Sequence, residues 1–389
     1  MGKEQTQGFQ PERLVEARKA RGLTQLELAS RLDIKRQSLS AYEKGLTIPR
    51  IEMIREIANL LSFSFGYFFK EADKIVVDTI HFRKNRTAKE KYYAALEVRL
   101  EWAARLFSYL QKYVEFIPLN AIRHEEEVYS REELELLAEK TRKHWGLGMG
   151  PLSNVTALLE NNGFTIARSE LDLEGIDACS STIVFEEGLR HFLCHTSHRS
   201  HTPISMVRDR MGKTHELAHF VLHSSVTKED LEQNYKEVEH EADYFASAFL
   251  LPRDSFAQEA YFLTNIDDFV KLKERWKVSI QAMILRCKNL GIMSESTCSY
   301  LYRQINNRGW RRVEPFDKEW PLERPRAFNE ALEAVVQNGF STPVQIQEEV
   351  NIPAEELGAM CDIDPNYFLA QEINRKVIQL RPQVSLNRA

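Results

Sequence analysis

MGKTHELAHFVLH, residues 211–223, decides how this chain is read. His215 and His219 stand four apart, and Glu216 follows the first of them directly. Leu217, Ala218, Phe220, Val221 and Leu222 surround them, which predicts a largely apolar helix. On a helix, positions i and i+4 share a face about 6 Å apart along the axis. Two imidazoles at that spacing converge on one ion and supply two of the three protein ligands of a catalytic zinc site. Glu216 then points to the open position, where it takes a proton from the attacking water. Core helices with merely hydrogen-bonded histidines also carry this five-residue pattern, so a third ligand has to decide. His223 does not qualify, because it lies about 12 Å beyond His215 on the same helix with no glycine to end it.

The deciding partner lies downstream, in EVEHEADYFASAFLLP, residues 237–252. Val238, Ala242, Phe245, Ala246, Phe249 and Leu250 predict the apolar side of a second helix. Glu239 and Asp243 are four apart on it and face one way; Glu241 falls on roughly the opposite face. The pair is similar to the ExxxD arrangement of thermolysin-type zincins. That resemblance implies Glu239 as third ligand and Asp243 as the acceptor that fixes a ligating histidine's tautomer. Glu241 is the fallback ligand.

With 389 residues, 43% hydrophobic and 28% charged, the chain is long enough for two or three domains with real cores. No run of eighteen apolar residues appears, and MGKEQTQGFQ at the start has no apolar signal region, so no membrane is expected and a cytoplasmic location is. The five cysteines form no CxxC pair, which argues against a disulfide framework or a thiolate zinc cluster. The net charge of −5 is uneven: residues 1–70 hold 12 Lys/Arg against 8 Asp/Glu, and the remainder is acidic. A basic head on an acidic body fits nucleic-acid contact confined to the head.

That head reads as short helices. Pro11 opens the first and Gly22 closes it; Thr24 caps TQLELASRL, where Leu26, Ala29 and Leu32 are expected on one face. RQSLSAYEKG and IEMIREIANLL follow, so two helices joined by a tight connector sit inside a small bundle. TQLELASRLDIKRQSLSAYEKGLTIPR resembles the Xre family of lambda-repressor-like helix-turn-helix domains over about residues 9–69. The shared pattern comprises Thr24-Gln25, Leu28-Ala29, the SAYEKG end of the recognition helix, and Pro49 four residues beyond Gly45. Asp33 stands where the family usually has glycine, and Asp tolerates the left-handed conformation needed there. The resemblance implies a recognition helix in the major groove of double-stranded operator DNA. Arg36, Gln37 and Ser40 are the candidates for base readout, and Gln25, Lys35 and Lys44 for phosphate contact. One such unit reads a short half-site, so a homodimer is expected.

Between these regions, residues 88–116 contain no Gly or Pro, and Leu96, Leu100, Ala103, Leu106 and Leu110 recur at helical spacing. This long helix is expected to pair with a symmetry mate or to pack on the catalytic body. Ser130 and Glu133 form a capping box for the next helix. FTIARSE, STIVFEE and RHFLCHT predict strands, the last two a hairpin through Gly188. RHFLCHT, or its hairpin neighbour, is a candidate edge to which an extended substrate adds. The histidines of RHFLCHTSHRSH (His191, His195, His198, His201) are expected in a solvated loop. Tyr235, Tyr244 and His223 are candidate oxyanion donors.

PLSNVTALLENNGF, KTHELAHFVLH and EHEADYFASAFLLP together resemble the ImmA/IrrE family of zinc-dependent endopeptidases, over about residues 130–255. Members commonly have an aromatic and a small residue ahead of HExxH, where this chain has Gly212-Lys213-Thr214. Xre domains fused to ImmA/IrrE domains form an architecture of bacteria and their mobile elements, whose members cleave transcriptional repressors or are proposed to.

The expected fold is α+β and predominantly helical. An all-α helix-turn-helix bundle spans 9–70, a helical linker 71–129, a zincin-like domain with a small sheet 130–255, and a helical region of open role 256–389. The expected function is a DNA-binding regulator with a zinc-dependent endopeptidase that cuts a repressor-like or partner protein. The alternatives are a repressor whose zincin fold senses a ligand or partner without cleavage, and a toxin–antitoxin or phage-defence component.

Overall fold

Pro11 begins α1 (Pro11–Ala20) as the sequence requires, its fixed φ suiting the first helical turn. In this computed structural model the described residues are 8–71, 80–82, 90–124, 126, 128–172, 178–186, 188–199, 202–224, 226, 228–263 and 265–369. Thr24 and Glu27 cap α2 (Gln25–Arg31) reciprocally, and α3 (Arg36–Glu43) and α4 (Ile51–Leu61) complete the bundle. Asp33, in the connector between α2 and α3, takes the left-handed conformation expected of it, with φ 50°. One expectation fails: Leu26 is exposed, and the buried face of α2 is Leu28, Ala29 and Leu32. A helix of seven residues has too few turns for its apolar stripe to be unambiguous.

Beyond the bundle come β1 (Ile80–Phe82) and α5 (Glu90–Leu110). Helices α6 (Arg131–His144) and α7 (Val155–Asn161) lead into β2 (Thr165–Asp172), β3 (Ala178–Phe185), β4 (Gly188–Arg199) and β5 (Thr202–Pro203). The HELAH stretch lies in α8 (Met206–Leu222), and its partner in α9 (Lys228–Leu250), which kinks at Asn234. The remaining helices are α10 (Arg253–Ala260), α11 (Ile266–Trp276), α12 (Ile280–Asn289), α13 (Glu295–Asn307), α14 (Ala327–Gln337), α15 (Pro343–Val350) and α16 (Ala354–Cys361). The fold is thus α+β and predominantly helical. No helix among the described residues is long and apolar enough to cross a membrane, and all five cysteines are buried free thiols.

The sheet runs in the order β1-β3-β4-β2, with β5 on β4. β3 and β4 form the expected antiparallel hairpin, β2 joins β4 in parallel, and β1 joins β3 antiparallel. RHFLCHT is therefore an interior strand, not an edge, because β3 and β2 occupy both of its sides. Alternation sorts the side chains of β4. Phe192 and Cys194 join an apolar core shared with α1–α5 and α14–α16. Leu193 joins a second core, built with α6–α13. The sheet lies between the two.

Residues 190–199 are strand, and His191 and His195 are buried, so this part of the histidine run is not a solvated loop. They share the parity of Leu193 and face α8: His191 packs on Phe220, their ring centroids 4.8 Å apart. The His198 side chain and the whole of His201 lie outside the described residues.

The α5 helix has its apolar surface consumed within the chain, not offered to a symmetry mate. It packs on α1 through Glu16, which accepts from Arg105 at 3.0 Å and Trp102 at 2.5 Å while paired with Arg13 at 2.8 Å. Glu356 of α16 binds Arg99 of α5 at 2.8 Å and Arg21 beside α1 at 2.5 Å. The C-terminal helices thereby hold the helix-turn-helix bundle against the body.

Candidate metal centre and nucleic-acid interface

Helices α8 and α9 pack on each other, bringing His215, His219 and Glu239 together with a ligand atom of each within 4.8 Å of the others. The Nε2 atoms of the two histidines are 3.0 Å apart. Glu239 stands 3.6 Å from His215 Nε2 and 3.4 Å from His219 Nε2. Both histidines are buried, and Glu239 is largely so.

The outer nitrogens fix the tautomers. His215 Nδ1 lies 2.9 Å from Asp243 Oδ1, and a carboxylate only accepts, so in the neutral ring Nδ1 carries the proton and Nε2 a lone pair. On the other side, His223 Nε2 lies 3.0 Å from Glu241 Oε2 and donates to it. A neutral His223 then presents an Nδ1 lone pair, 3.1 Å from His219 Nδ1, which must donate. Burial holds the His223 imidazole below its usual range despite Glu241, so the ring is neutral near pH 7. Two imidazole lone pairs consequently face one another at 3.0 Å beside a carboxylate. A cation turns that repulsion into ligation, and two imidazoles with one carboxylate are a donor set suited to zinc.

Glu216 is wholly buried on the same helix, and the Ser180 hydroxyl of β3 donates to its Oε2 at 2.5 Å. Glu241 is engaged elsewhere: its Oε1 accepts from the Tyr129 backbone N–H at 2.8 Å, and its other oxygen holds His223. It holds a histidine in place and does not join the triad. Tyr244, one of the three candidate oxyanion donors, gives its hydroxyl to Glu135 at 3.0 Å. His223 is occupied by the chain just described, and Tyr235 is half-buried on α9. Tyr93, on the first turn of α5, lies within electrostatic reach of the triad. Burial, then the Glu239 carboxylate, pushes its phenol up to about 12.

Sequence reasoning missed a second buried cluster one to two turns earlier on α8. His195 Nδ1 is 2.9 Å from Asp209 Oδ1, and Lys213 Nζ is 2.6 Å from both Asp209 Oδ2 and Thr156 Oγ1. Burial would raise the Asp209 carboxyl, but the Lys213 ammonium and His195 together hold it well below the usual range. Burial, then Lys213, lowers the His195 imidazole. The one sequence signal was Asp209 and Lys213 at i and i+4. The cluster borders a cavity of about 470 Å³ between α8, α9 and α12, and Asp243 lies on that cavity's wall. Asp243 thus touches both this cavity and the His215 ring.

On the helix-turn-helix bundle, Gln25, Lys35, Arg36, Gln37, Ser40 and Lys44 all line one shallow concavity. Lys35, Arg36 and Gln37 are exposed at the start of α3. Gln25 is held in place by donating to Glu43 Oε2 at 2.7 Å, and Arg18 fixes that carboxylate at 2.5 Å. No side chain caps the first turn of α3, which leaves its N–H groups facing outward beside these residues.

No curated protein matches the chain. Residues 14–68 match the family model described as helix-turn-helix, and residues 207–288 match that of the IrrE N-terminal-like domain. The second match covers the triad and continues through α11 and most of α12, whose Phe269, Trp276, Met283 and Ile284 belong to the same core as α8. The chain is therefore similar, in this order, to a helix-turn-helix DNA-binding domain and an IrrE-like peptidase domain.

Proposed function

We propose that this protein is a DNA-binding transcriptional regulator carrying a zinc-dependent endopeptidase, with a repressor-like or partner protein as substrate. The observation that carries this reading is the convergence of the His215 and His219 lone pairs with Glu239 beside a buried Glu216. His215, His219 and Glu239 would hold the zinc, and Asp243 keeps His215 in the ligating tautomer. When bound, zinc supplies the Lewis acidity that polarises a scissile carbonyl and makes water nucleophilic near neutral pH. Glu216 takes the proton of the attacking water and returns it to the leaving amine. Ser180 orients the Glu216 carboxylate for that transfer.

The helix-turn-helix unit would set α3 in the major groove. Arg36, Gln37 and Ser40 read bases there, while Gln25, Lys35 and Lys44 meet phosphates. Two half-sites on an operator call for a homodimer. The clustering of all six residues on one surface supports this assignment.

The test compares wild type with Glu216→Gln, both with zinc quantified, in digestion of an unfolded protein such as casein. Cleavage by wild type alone is the expected result. Equal behaviour of two fully loaded proteins would leave the zincin fold as a sensor, not a protease.

A further inference from the structure

The strand beside Glu216 already carries a peptide. Ser180 is the β3 residue that touches the Glu216 carboxylate. On the outer side of β3, opposite β4, Cys179–Ser181 pair antiparallel with Ile80–Phe82, and His81 stands opposite Ser180. An extended peptide adding to the sheet next to the proposed base takes this position, since β4 is enclosed on both sides. The occupant is the chain's own connector between the helix-turn-helix bundle and α5. Ile80–Phe82 are thus placed on the strand whose Ser180 touches Glu216.

We propose that the chain is its own substrate, cut within Ile80–Phe82. This rests on the endopeptidase reading above and names one substrate for it. Water adds to the peptide carbonyl carbon, and the C–N bond breaks. The proton taken by Glu216 goes to the leaving nitrogen. The products are a new carboxylate on the DNA-binding piece and a new amine on the catalytic piece, with water as the sole co-reactant. The cut severs the covalent tie between the two activities.

The experiment uses the full chain in four arms. Hydrogen exchange on metal-free Glu216→Gln protein should show slow amides at Cys179–Ser181, and on His81→Pro those of the three that bond to β1, not β4, should exchange at least tenfold faster. Zinc-supplemented wild type should split at one bond within Ile80–Phe82, by intact mass, at a rate unchanged by tenfold dilution, while Glu216→Gln stays whole. His81→Pro should split at least tenfold more slowly yet digest casein no slower than wild type. A wild type that stays whole while digesting casein in a Glu216-dependent manner overturns the self-substrate proposal and leaves the peptidase reading standing. If neither the chain nor casein is cut, both fall. A cut outside Ile80–Phe82, or a rate proportional to concentration, also overturns it.

Discussion

Asp243 Oδ1 lies 2.9 Å from Nδ1 of His215, on the side of the ring away from His219. The carboxylate thereby decides which nitrogen of His215 can ligate. Removing such an outer partner lowers metal affinity about 10–100-fold. Asp243→Ala should therefore bind zinc that much more weakly in competition with a chromogenic chelator. Glu239→Ala should lose stoichiometric zinc, while Glu241→Ala should retain it at saturating metal. Equal loss in Glu239→Ala and Glu241→Ala would remove Glu239 from the triad.

Lys213 is buried with its ammonium against Asp209 and Thr156. Breaking a buried ion pair from one side strands a charge, which costs about 3–5 kcal/mol. Lys213→Met should destabilise by that order in urea unfolding. The double variant Lys213→Met/Asp209→Leu should recover most of the loss. A single variant within about 0.5 kcal/mol of wild type, the range of ordinary surface changes, would show that the pair carries little.

The same cluster sets an acid limit. Burial, then Lys213, depresses the His195 imidazole below its unfolded value of about 6.5. As pH falls, the unfolded chain takes up the proton first, so stability is lost from about pH 6.5 down toward the folded pKa. The depressed Asp209 carboxyl acts in the same direction further down: its contribution is present above its unfolded pKa and disappears as pH falls through the folded one. The wild-type urea midpoint should fall between about pH 7.5 and 5.5, and that of His195→Gln should fall less over the same window. Identical slopes would exclude His195 as the cause.

Arg36 and Gln37 are exposed at the start of α3. Each bidentate base contact discriminates by about 1–3 kcal/mol. Arg36→Ala with Gln37→Ala should abolish preference for operator over random DNA in a competition titration. Lys35→Ala or Lys44→Ala should weaken both alike and reduce the salt slope by about one. Unchanged operator affinity in the double variant would sink the readout assignment.

The local parts of the fold and site were legible because their signals are local. The caps at Thr24 and Ser130, the left-handed Asp33, and the i, i+4 pairs His215/His219 and Glu239/Asp243 each depend on a few neighbouring residues. The relay from His219 through His223 to Glu241 was not, because it joins two helices whose contact no spacing encodes. His195 with Asp209 likewise needs the strand-to-helix packing. The histidine run misled because its polarity suggested water, whereas strand alternation turned His191 and His195 toward α8. Sheet order was least legible: that Ile80–Phe82 pairs with Cys179–Ser181 is a matter of long-range topology.

The bond between Arg21 and Glu356 spans 335 positions of chain, and Arg99 shares the same carboxylate. Contacts so distant in sequence form late, since the intervening loop must close before they are rewarded. On the ribosome the four-helix head emerges early and folds on local contacts. Its clasp to the body has to wait until α16 has been synthesised. The surface around Arg36 therefore folds well before the Glu356 clasp is made, and the earlier packing of α1 on α5 through Glu16 precedes that clasp.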